Sequence, residues 1–301
     1  MKILITGGSG LLGQYLNLFL SKKHEILTLY NSNTGNCQQF NSRNIDLRDE
    51  IGLKKIFSEF QPKLVIHSAA ITSTLLDGKY SLKDYFQVNV LATENIARLS
   101  SISKSRLIYI STDLVYDGNR GSFQTENSKL NPVSPYAESK LIGEEKVRAY
   151  SDDYLILRLA LMIGFGLNHS VCHFQTMYEN LLKNKSVKLF TDQFRSPISL
   201  LEAASVIEKI IDSNLPSGIF NLGGHERISR FELGLMLVNS IRADKDLLIP
   251  ISLEEAPQVP TVKDVSLNID KLKSYGIEVN TLEKMIYDSM IFNNKKIFPS
   301  K

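Results

Sequence analysis

The chain has 301 residues, of which 43% are hydrophobic and 22% charged, and its formal net charge is +3. This composition is typical of a globular protein, and the even spread of charge argues against a nucleic-acid or membrane partner. No apolar stretch approaches the roughly 20 residues that span a bilayer. Two distant cysteines, Cys37 and Cys172, fit a reducing compartment, so we expect a cytoplasmic protein.

The first half of the chain alternates short apolar runs with amphipathic segments. A helix is predicted directly after the glycines that follow the first apolar run. Strands alternating with helices predict an α/β fold, a Rossmann-type doubly wound parallel sheet. The other predictions, in chain order, are strands at 2–6, 25–30, 45–47, 64–67, 107–111 and 154–159, and helices at 51–60, 85–100 and 136–150.

The alternation is looser after about residue 165. Pro250, Pro257 and Pro260 indicate an irregular stretch. We therefore expect a NAD(P)-binding Rossmann domain at 1–165 and a smaller, mixed C-terminal substrate-binding part at 166–301, some of which could return to the sheet. The pattern here predicts helices at 174–182, 201–211, 231–241 and 281–290, and strands at 187–190 and 218–222.

A glycine triplet lies between the first strand and the first helix. Gly7, Gly10 and Gly13 would allow a sharp turn, a close approach of backbone to a pyrophosphate, and tight packing of helix on sheet. The diphosphate would then meet the free N–H groups and the positive end of the helix, next to Leu11 and Leu12. This placement predicts that the loop binds a dinucleotide cofactor.

The residues for the adenosine end predict the type of cofactor less directly. An acidic residue would hold the ribose 2′-hydroxyl of NAD, but 30–34 contains none, and Asn31 and Ser32 could instead bind a 2′-phosphate. No Arg or Lys follows before Arg43. We expect NADP to be preferred, with NAD left open, and Asp46 and Leu47 to meet the adenine.

A tyrosine and a lysine, Tyr136 and Lys140, are spaced to share one helix face. The lysine could lower the pKa of the tyrosine from about 10 toward neutrality, so that the phenol exchanges a proton with a carbonyl oxygen during hydride transfer. Thr112 follows a predicted strand at the edge where open parallel sheets bind ligands, and its hydroxyl could orient that oxygen. These three residues form the predicted catalytic set.

One cluster has the residue types of a metal site. His169 and His173 are four apart with Cys172 between them, but Ser170 stands where a zincin-type site would have glutamate. We therefore expect no protein-bound metal.

Together these motifs resemble the extended short-chain dehydrogenase/reductase superfamily over most of the chain. The segments 111–118, 136–144 and 192–197 are most similar to its dTDP-4-dehydrorhamnose reductase group. The resemblance implies that Thr112 orients the substrate, Tyr136 is the acid/base, and Lys140 tunes Tyr136 and binds the nicotinamide ribose. It also implies cofactor contacts from Ser68, Ala69, Ala70, Asn89 and Ser111.

The sequence departs from this superfamily at two places. Leu114 stands where sugar-nucleotide 4,6-dehydratases carry glutamate, so elimination of water is not expected. Arg195 begins Arg-Ser-Pro-Ile, where the rhamnose reductases more usually have Gly-x-Pro-Thr, which leaves the sugar open. Arg195 could grip a substrate phosphate or form a structural salt bridge. Thr72, Val115 and Tyr116 are the other candidate substrate residues, and Arg158 is expected to brace the sheet end.

The resulting hypothesis is an NAD(P)H-dependent reductase of a keto group on a nucleotide-activated sugar. An epimerase with the same fold is one alternative. The other is a non-catalytic NADP-binding regulatory subunit that resembles the β subunit of methionine adenosyltransferase. The expected partner is the small-molecule nucleotide-sugar, and a homodimer stays open because helices equivalent to 85–100 and 136–150 form a dimer bundle in many relatives.

Overall fold

The computed structural model describes residues 1–74, 79–119, 121–256 and 262–297, and the side chains of all of these except 295–297. Pro257 and Pro260 of the predicted irregular stretch lie outside the described residues. The strands are β1 (Lys2–Thr6), β2 (Glu25–Tyr30), β3 (Ser42–Asn44), β4 (Leu64–His67), β5 (Arg106–Thr112), β6 (Tyr154–Leu159), β7 (Met162–Ile163), β8 (Val187–Phe190), β9 (Phe194–Arg195), β10 (Ile198–Ser199), β11 (Gly218–Leu222), β12 (Ile228–Ser229) and β13 (Leu248–Ile251).

Helices lie between most of these strands and flank the sheet. They are α1 (Gly13–Leu20), α2 (Glu50–Phe60), α3 (Leu82–Tyr85), α4 (Ala92–Ile102), α5 (Pro135–Tyr150), α6 (His173–Leu182), α7 (Leu200–Asp212), α8 (Arg230–Ile241), α9 (Asp270–Lys273) and α10 (Leu282–Ile297). Within the described residues, none of the helices is both long and apolar enough to cross a membrane.

A central sheet of seven strands has the order β11-β6-β5-β4-β1-β2-β3, and its described pairs are all parallel. This confirms the Rossmann-type α/β fold. The reversal of strand order next to β1 is the switch point at which such sheets open a crevice. One hydrophobic core lies under α1 and α7, and the other lies under α2, α4 and α5.

The last strand of the sheet comes from the C-terminal half of the chain. Residues of β11 pair with β6 from Gly218↔Leu155 to Leu222↔Leu159. In addition, α7 packs against α1. A segment beyond residue 165 therefore belongs to the Rossmann sheet, and the proposed domain boundary at 165 stays a prediction.

The short strand predicted at 45–47 is wrong by three residues. The structure places β3 at Ser42–Asn44, paired with Thr28–Tyr30 at the edge of the sheet. Ile45 and Leu47 pack against the core on the α2 side instead. A polar edge strand buries too little to show an apolar pattern, whereas the apolar residues that follow it do.

Two other stretches differ from the predicted pattern. The helix predicted at 85–100 begins at Leu82, where Ser81 and Asp84 form reciprocal capping bonds, and it contains a π-helical segment, Phe86–Leu91. Pro250, predicted to be irregular, lies in β13, which pairs in parallel with β8. A two-stranded sheet consists of edge strands, where proline is tolerated. The final helix α10 extends beyond the predicted 281–290.

The C-terminal part packs against the carboxyl ends of the central strands. Two small ribbons, β8 with β13 and β9 with β12, lie beside α6 and α8. Their core includes Phe174, Leu189 and Leu237, all almost fully buried. This arrangement closes one side of a cleft above the sheet.

Candidate active site

A cleft of about 1090 Å³ follows the carboxyl ends of the central strands and is bounded by β8, β9 and the start of α8. Most of the predicted site residues line it. They are Gly7, Gly10, Leu11, Leu12, Gly13, Asn31, Ser32, Asp46, Leu47, Ser68, Ala69, Ala70, Thr72, Ser111, Thr112, Tyr136, Lys140 and Arg195. Such convergence of polar groups at the switch point is the usual location of a ligand in this fold.

Three predicted contact residues do not line the cleft. Asn89 is buried in the π-helical segment, where its side chain bonds both the N–H and the carbonyl of Ile71. Val115 is fully buried, and Tyr116 is buried with its hydroxyl donating to Asn221 at 2.6 Å. These three residues support the walls of the cleft, and their predicted contacts with cofactor and substrate stay predictions.

The glycine loop has the geometry that a diphosphate cradle requires. Gly7 has φ +69°, and a Cβ there would lie 2.7 Å from the Cα of Ala69. A Cβ on Gly13 would overlap the carbonyl oxygen of Gly7, so this position fixes the tight packing of α1. A Cβ on Gly10 would meet only that carbonyl oxygen, at 3.1 Å. The residues present therefore fit a dinucleotide whose phosphates lie on this loop.

The adenosine end of the cleft carries a cation that the sequence analysis missed. Arg48 lines the cleft and donates through Nε to Oδ1 of Asp46 at 2.9 Å. This bond holds the pKa of Asp46 below its usual range. Arg43, considered earlier, bonds Asn41 and Ser42 and does not line this cleft. The spacing of Asp46 and Arg48, two residues apart just after β3, could have identified Arg48 as a partner of Asp46.

The predicted acid/base pair, Tyr136 and Lys140, lies on the cleft face of α5. Ser134 caps this helix by accepting from the N–H of Ala137, and Pro135 fills its first position. The Tyr136 hydroxyl interacts with the Thr112 side chain, whose hydroxyl also donates to Oδ1 of Asp113 at 3.2 Å. Lys140 is 2% exposed, with Nζ 3.9 Å from the centre of the Tyr109 ring. The three predicted catalytic residues are thus brought together.

The pKa shifts of this pair differ from the sequence-based expectation. Burial raises the pKa of Tyr136 to about 12, and the bond from Thr112 opposes this only in part. Burial lowers the pKa of Lys140 to about 7, with Glu144 opposing the shift. The expected lowering of the tyrosine pKa by Lys140 is therefore wrong for this geometry, because loss of solvent affects both charged forms.

A buried ion pair between Glu144 and Arg158 supports the helix face that carries Tyr136 and Lys140. The sequence analysis selected Arg158 but not Glu144. Glu144 lies one turn after Lys140 and accepts from Ser111 at 2.6 Å. Arg158 donates to both oxygens of Glu144, from Nε to Oε1 at 3.0 Å and from Nη2 to Oε2 at 2.7 Å. Arg158 therefore braces the sheet end, as expected. Continuing the i+4 spacing from Tyr136 and Lys140 would have identified Glu144.

The opposite end of the catalytic face holds two arginines. Arg195 is almost fully buried, its Nε lies 3.9 Å from Oδ2 of Asp113, and its Nη1 donates to the carbonyls of Phe194 and Val262. Arg230, which the sequence analysis did not select, also lines the cleft. Burial raises the pKa of Asp113, the residue directly after Thr112. Arg195 thus forms a salt bridge with Asp113 and also lines the cleft, so the geometry is compatible with both roles considered for it.

Comparison with known proteins places this architecture in a wider group. The family described as RmlD substrate binding domain matches residues 1–290. The chain is similar to methionine adenosyltransferase 2 subunit beta of Xenopus laevis, with 27% identity over 288 residues, 93% of this chain and 84% of that protein.

Two solved structures show the same fold. One is a hypothetical dTDP-4-dehydrorhamnose reductase from Sulfolobus tokodaii, with 30% identity, a TM-score of 0.79, and coverage of 91% of this chain and 94% of that one. The other is the enzyme WbmG of Bordetella bronchiseptica in complex with NAD, with 25% identity, a TM-score of 0.84, and coverage of 98% and 94%. Nicotinamide dinucleotide binding therefore occurs among the structural neighbours of this chain.

Proposed function

Since the chain belongs to the RmlD substrate binding domain family of extended short-chain dehydrogenases/reductases, we propose that it is an NAD(P)H-dependent reductase of a keto group on a nucleotide-activated sugar. The observation that carries this proposal is the meeting of Thr112, Tyr136 and Lys140 in the same cleft that the glycine loop lines. The bound cofactor supplies the hydride. The chain supplies the proton, the orientation and the exclusion of water.

The roles of the three residues follow from their positions. As hydride reaches the carbonyl carbon, the oxygen becomes negative and takes the proton from the Tyr136 hydroxyl. Thr112, bonded to Tyr136, orients that oxygen, and Lys140 binds the nicotinamide ribose. A phenol with a raised pKa stays protonated at neutral pH, as a donor must. Leu114 also lines the cleft, and an apolar side chain cannot act as the base of a dehydratase.

The cofactor of the proposed reaction is NADP in preference to NAD. Asn31, Ser32 and Arg48 line the adenosine end, and a guanidinium pairs well with a 2′-phosphate. Comparing kcat/KM for NADPH and NADH checks this preference. A clear advantage for NADH would contradict it.

The proposed substrate occupies the space between the sheet and the C-terminal part, with Thr72 at its rim and Arg195 near its diphosphate. The test is a panel of 4-keto sugar nucleotides with NADPH, followed by absorbance of the reduced nicotinamide. We expect oxidation of NADPH with at least one member and none with the corresponding 4-hydroxy sugars. No turnover with any member would contradict the reductase.

A regulatory binding subunit is the second candidate, favoured by the similarity to methionine adenosyltransferase 2 subunit beta over 93% of the chain. It predicts NADP binding without turnover of any sugar. The third candidate, an epimerase, predicts interconversion of 4-hydroxy sugar nucleotides without net oxidation of cofactor. The same panel, with product analysis, separates the three.

The proposed reductase is also a candidate homodimer. Leu82, Phe86 and Leu91 are 62%, 47% and 41% exposed on the α3–α4 helix, which is the dimer face in many relatives. Light scattering of the purified protein measures the oligomeric state directly. A cytoplasmic location stays a prediction.

A further inference from the structure

The β9–β12 ribbon brings two arginines to the cleft. The strands are antiparallel, with Arg195 opposite Ile228, and the N–H of Arg230 donates to the carbonyl of Gln193 at 3.1 Å. Residues that alternate along a strand share a face, so Gln193 and Arg195 lie on one side of the ribbon. Arg230 lies across the ribbon from Gln193, and all three side chains line the cleft. The ribbon therefore presents two guanidinium groups toward the substrate space.

A third arginine of the same segment shows the contrasting arrangement. Arg227 donates through Nε to Oδ2 of Asp264 at 2.6 Å, and its guanidinium lies 3.5 Å from the centre of the Phe194 ring. It does not line the cleft. Arg227 is thus satisfied by a carboxylate and an aromatic ring on the side of the ribbon away from the cleft.

Arg230 has no such carboxylate in contact. Its Nε donates to the neutral amide oxygen of Gln193 at 3.0 Å, and no salt bridge to it is formed by the described residues. Burial and the charge of Arg195 lower the pKa of Arg230 to about 9, with Asp113 opposing the shift. The first position of a helix is also unfavourable for a cation, and Arg230 begins α8.

The charges around the ribbon do not balance. Among the described residues, Arg195, Arg227 and Arg230 face two carboxylates, those of Asp113 and Asp264. His173 lies near Arg230, but burial and the charge of Arg230 lower its pKa to about 4, so it is neutral at pH 7. The Arg230 side chain is partly buried, and its guanidinium has no carboxylate of its own among the described residues. An anion that enters the cleft can pair with it.

We propose that Arg230 and Arg195 form an oxyanion site that binds a phosphate or carboxylate group of the substrate, with Asp113 holding Arg195 in place. Gln193 directs the Arg230 guanidinium into the cleft, where its remaining N–H groups can form a bidentate pair with two oxygens. This inference rests on the proposed function for the identity of the substrate. The oxyanion site itself can be tested by binding alone.

The experiment measures binding of four probes to the NADP-saturated protein by calorimetry: pyrophosphate, UDP-glucose, UDP-glucuronate and dTDP-glucose. The variants are Arg230→Gln, Arg230→Lys and the matched control Arg227→Gln, which removes an arginine of the same segment outside the cleft. We expect Arg230→Gln to weaken at least one probe about tenfold or more, as for loss of a charged hydrogen-bonded pair. Arg230→Lys should recover part of the affinity, and Arg227→Gln should stay within twofold.

The pattern across probes identifies the oxyanion. Equal weakening of pyrophosphate and all nucleotide-sugars would assign the site to the diphosphate, whereas weakening of UDP-glucuronate alone would assign it to a carboxylate on the sugar. Wild-type affinity of Arg230→Gln for every probe, or no binding of any probe by wild type, would overturn the proposal. Cofactor affinity within twofold shows that each variant is folded. If binding depends on Arg230 but no sugar is reduced, the proposed function is contradicted and the oxyanion site is still supported.

Discussion

At the scale of residues, burial decides the protonation of the catalytic face. Tyr136 has its pKa raised to about 12, and Lys140 has its pKa lowered to about 7, because each charged form loses water. At neutral pH the tyrosine is therefore protonated, as the proposed donor must be, and the lysine is the group that titrates. Glu144, one helical turn away, opposes the lowering of the Lys140 pKa.

This protonation pattern predicts the pH dependence of reduction. A lysine with a lowered pKa is charged below about pH 7 and loses its ammonium as the pH rises through that value. We expect kcat/KM for reduction to fall on the alkaline side with an apparent pKa near 7, and Lys140→Met to abolish that limb. A flat profile up to pH 9 in wild type would contradict this assignment, since Tyr136 stays protonated over that range.

The role of a residue could be predicted from the sequence only where a motif, such as the glycine triplet, fixes the local packing of that residue. The glycine spacing identified Gly7 and Gly13, whose missing side chains the packing does require. Asn89 was assigned to cofactor contact by resemblance and Tyr116 was a candidate substrate residue, yet both side chains bond to other residues in the wall of the cleft. No sequence motif identifies Arg230. Its place in the cleft depends on the β9–β12 ribbon, which joins segments 35 residues apart in the chain.

At the scale of elements, α5 is attached to the sheet by the Glu144–Arg158 pair. Glu144 comes from the helix and Arg158 from β6, and both side chains are 1–2% exposed. Arg158 also donates to the hydroxyl of Tyr116 at 3.0 Å and to the carbonyl of Glu126 at 3.1 Å. The pair therefore links the helix that carries Tyr136 and Lys140 to the strands that form the floor of the cleft.

A double-mutant cycle tests this link. Glu144→Gln or Arg158→Met alone should reduce the free energy of unfolding by about 3–5 kcal/mol, because each leaves a buried charge without its partner. The double variant should lose clearly less than the sum, since neither charge is then buried alone. Urea unfolding measures all four proteins, and simple additivity of the two losses would show that the pair does not act as a unit.

The elements themselves were predictable where burial is strong. The strands at 2–6, 64–67 and 154–159 are apolar because they lie inside the sheet, and the structure has them at the same residues. The edge strand β3 was not predicted at its true position, because its residues Ser42, Arg43 and Asn44 need not be apolar at the edge of the sheet. The π-helical segment has no periodic signal of its own, since it is a single short stretch inside a longer helix.

At the scale of the whole molecule, the sheet and the C-terminal part together form one cleft with three functional zones. The glycine loop and the adenosine end lie at one side, and the Tyr136 face lies in the middle. The arginine ribbon lies at the other side, and it belongs to the part of the chain whose pattern was least regular. The sequence could predict the glycine loop, because that loop is local, but the arginine ribbon depends on contacts between distant segments.

The central claim is that this cleft performs reduction with Tyr136 as the proton donor. Phenylalanine at this position removes the hydroxyl and keeps the ring, so the packing of α5 should change little. The matched control is Tyr109→Phe, which removes a buried hydroxyl that donates to the carbonyl of Lys140 at 3.4 Å and interacts with the Thr93 side chain. Tyr109 does not line the cleft.

The most direct test is therefore the turnover of Tyr136→Phe on a keto sugar nucleotide that the wild-type protein reduces, with NADPH affinity measured in parallel. We predict that kcat falls on the order of 10²–10⁴-fold, the range for loss of a general acid, while the Kd for NADPH stays within a few-fold. Tyr109→Phe should keep most of the activity. Near-full turnover by folded Tyr136→Phe would contradict the account.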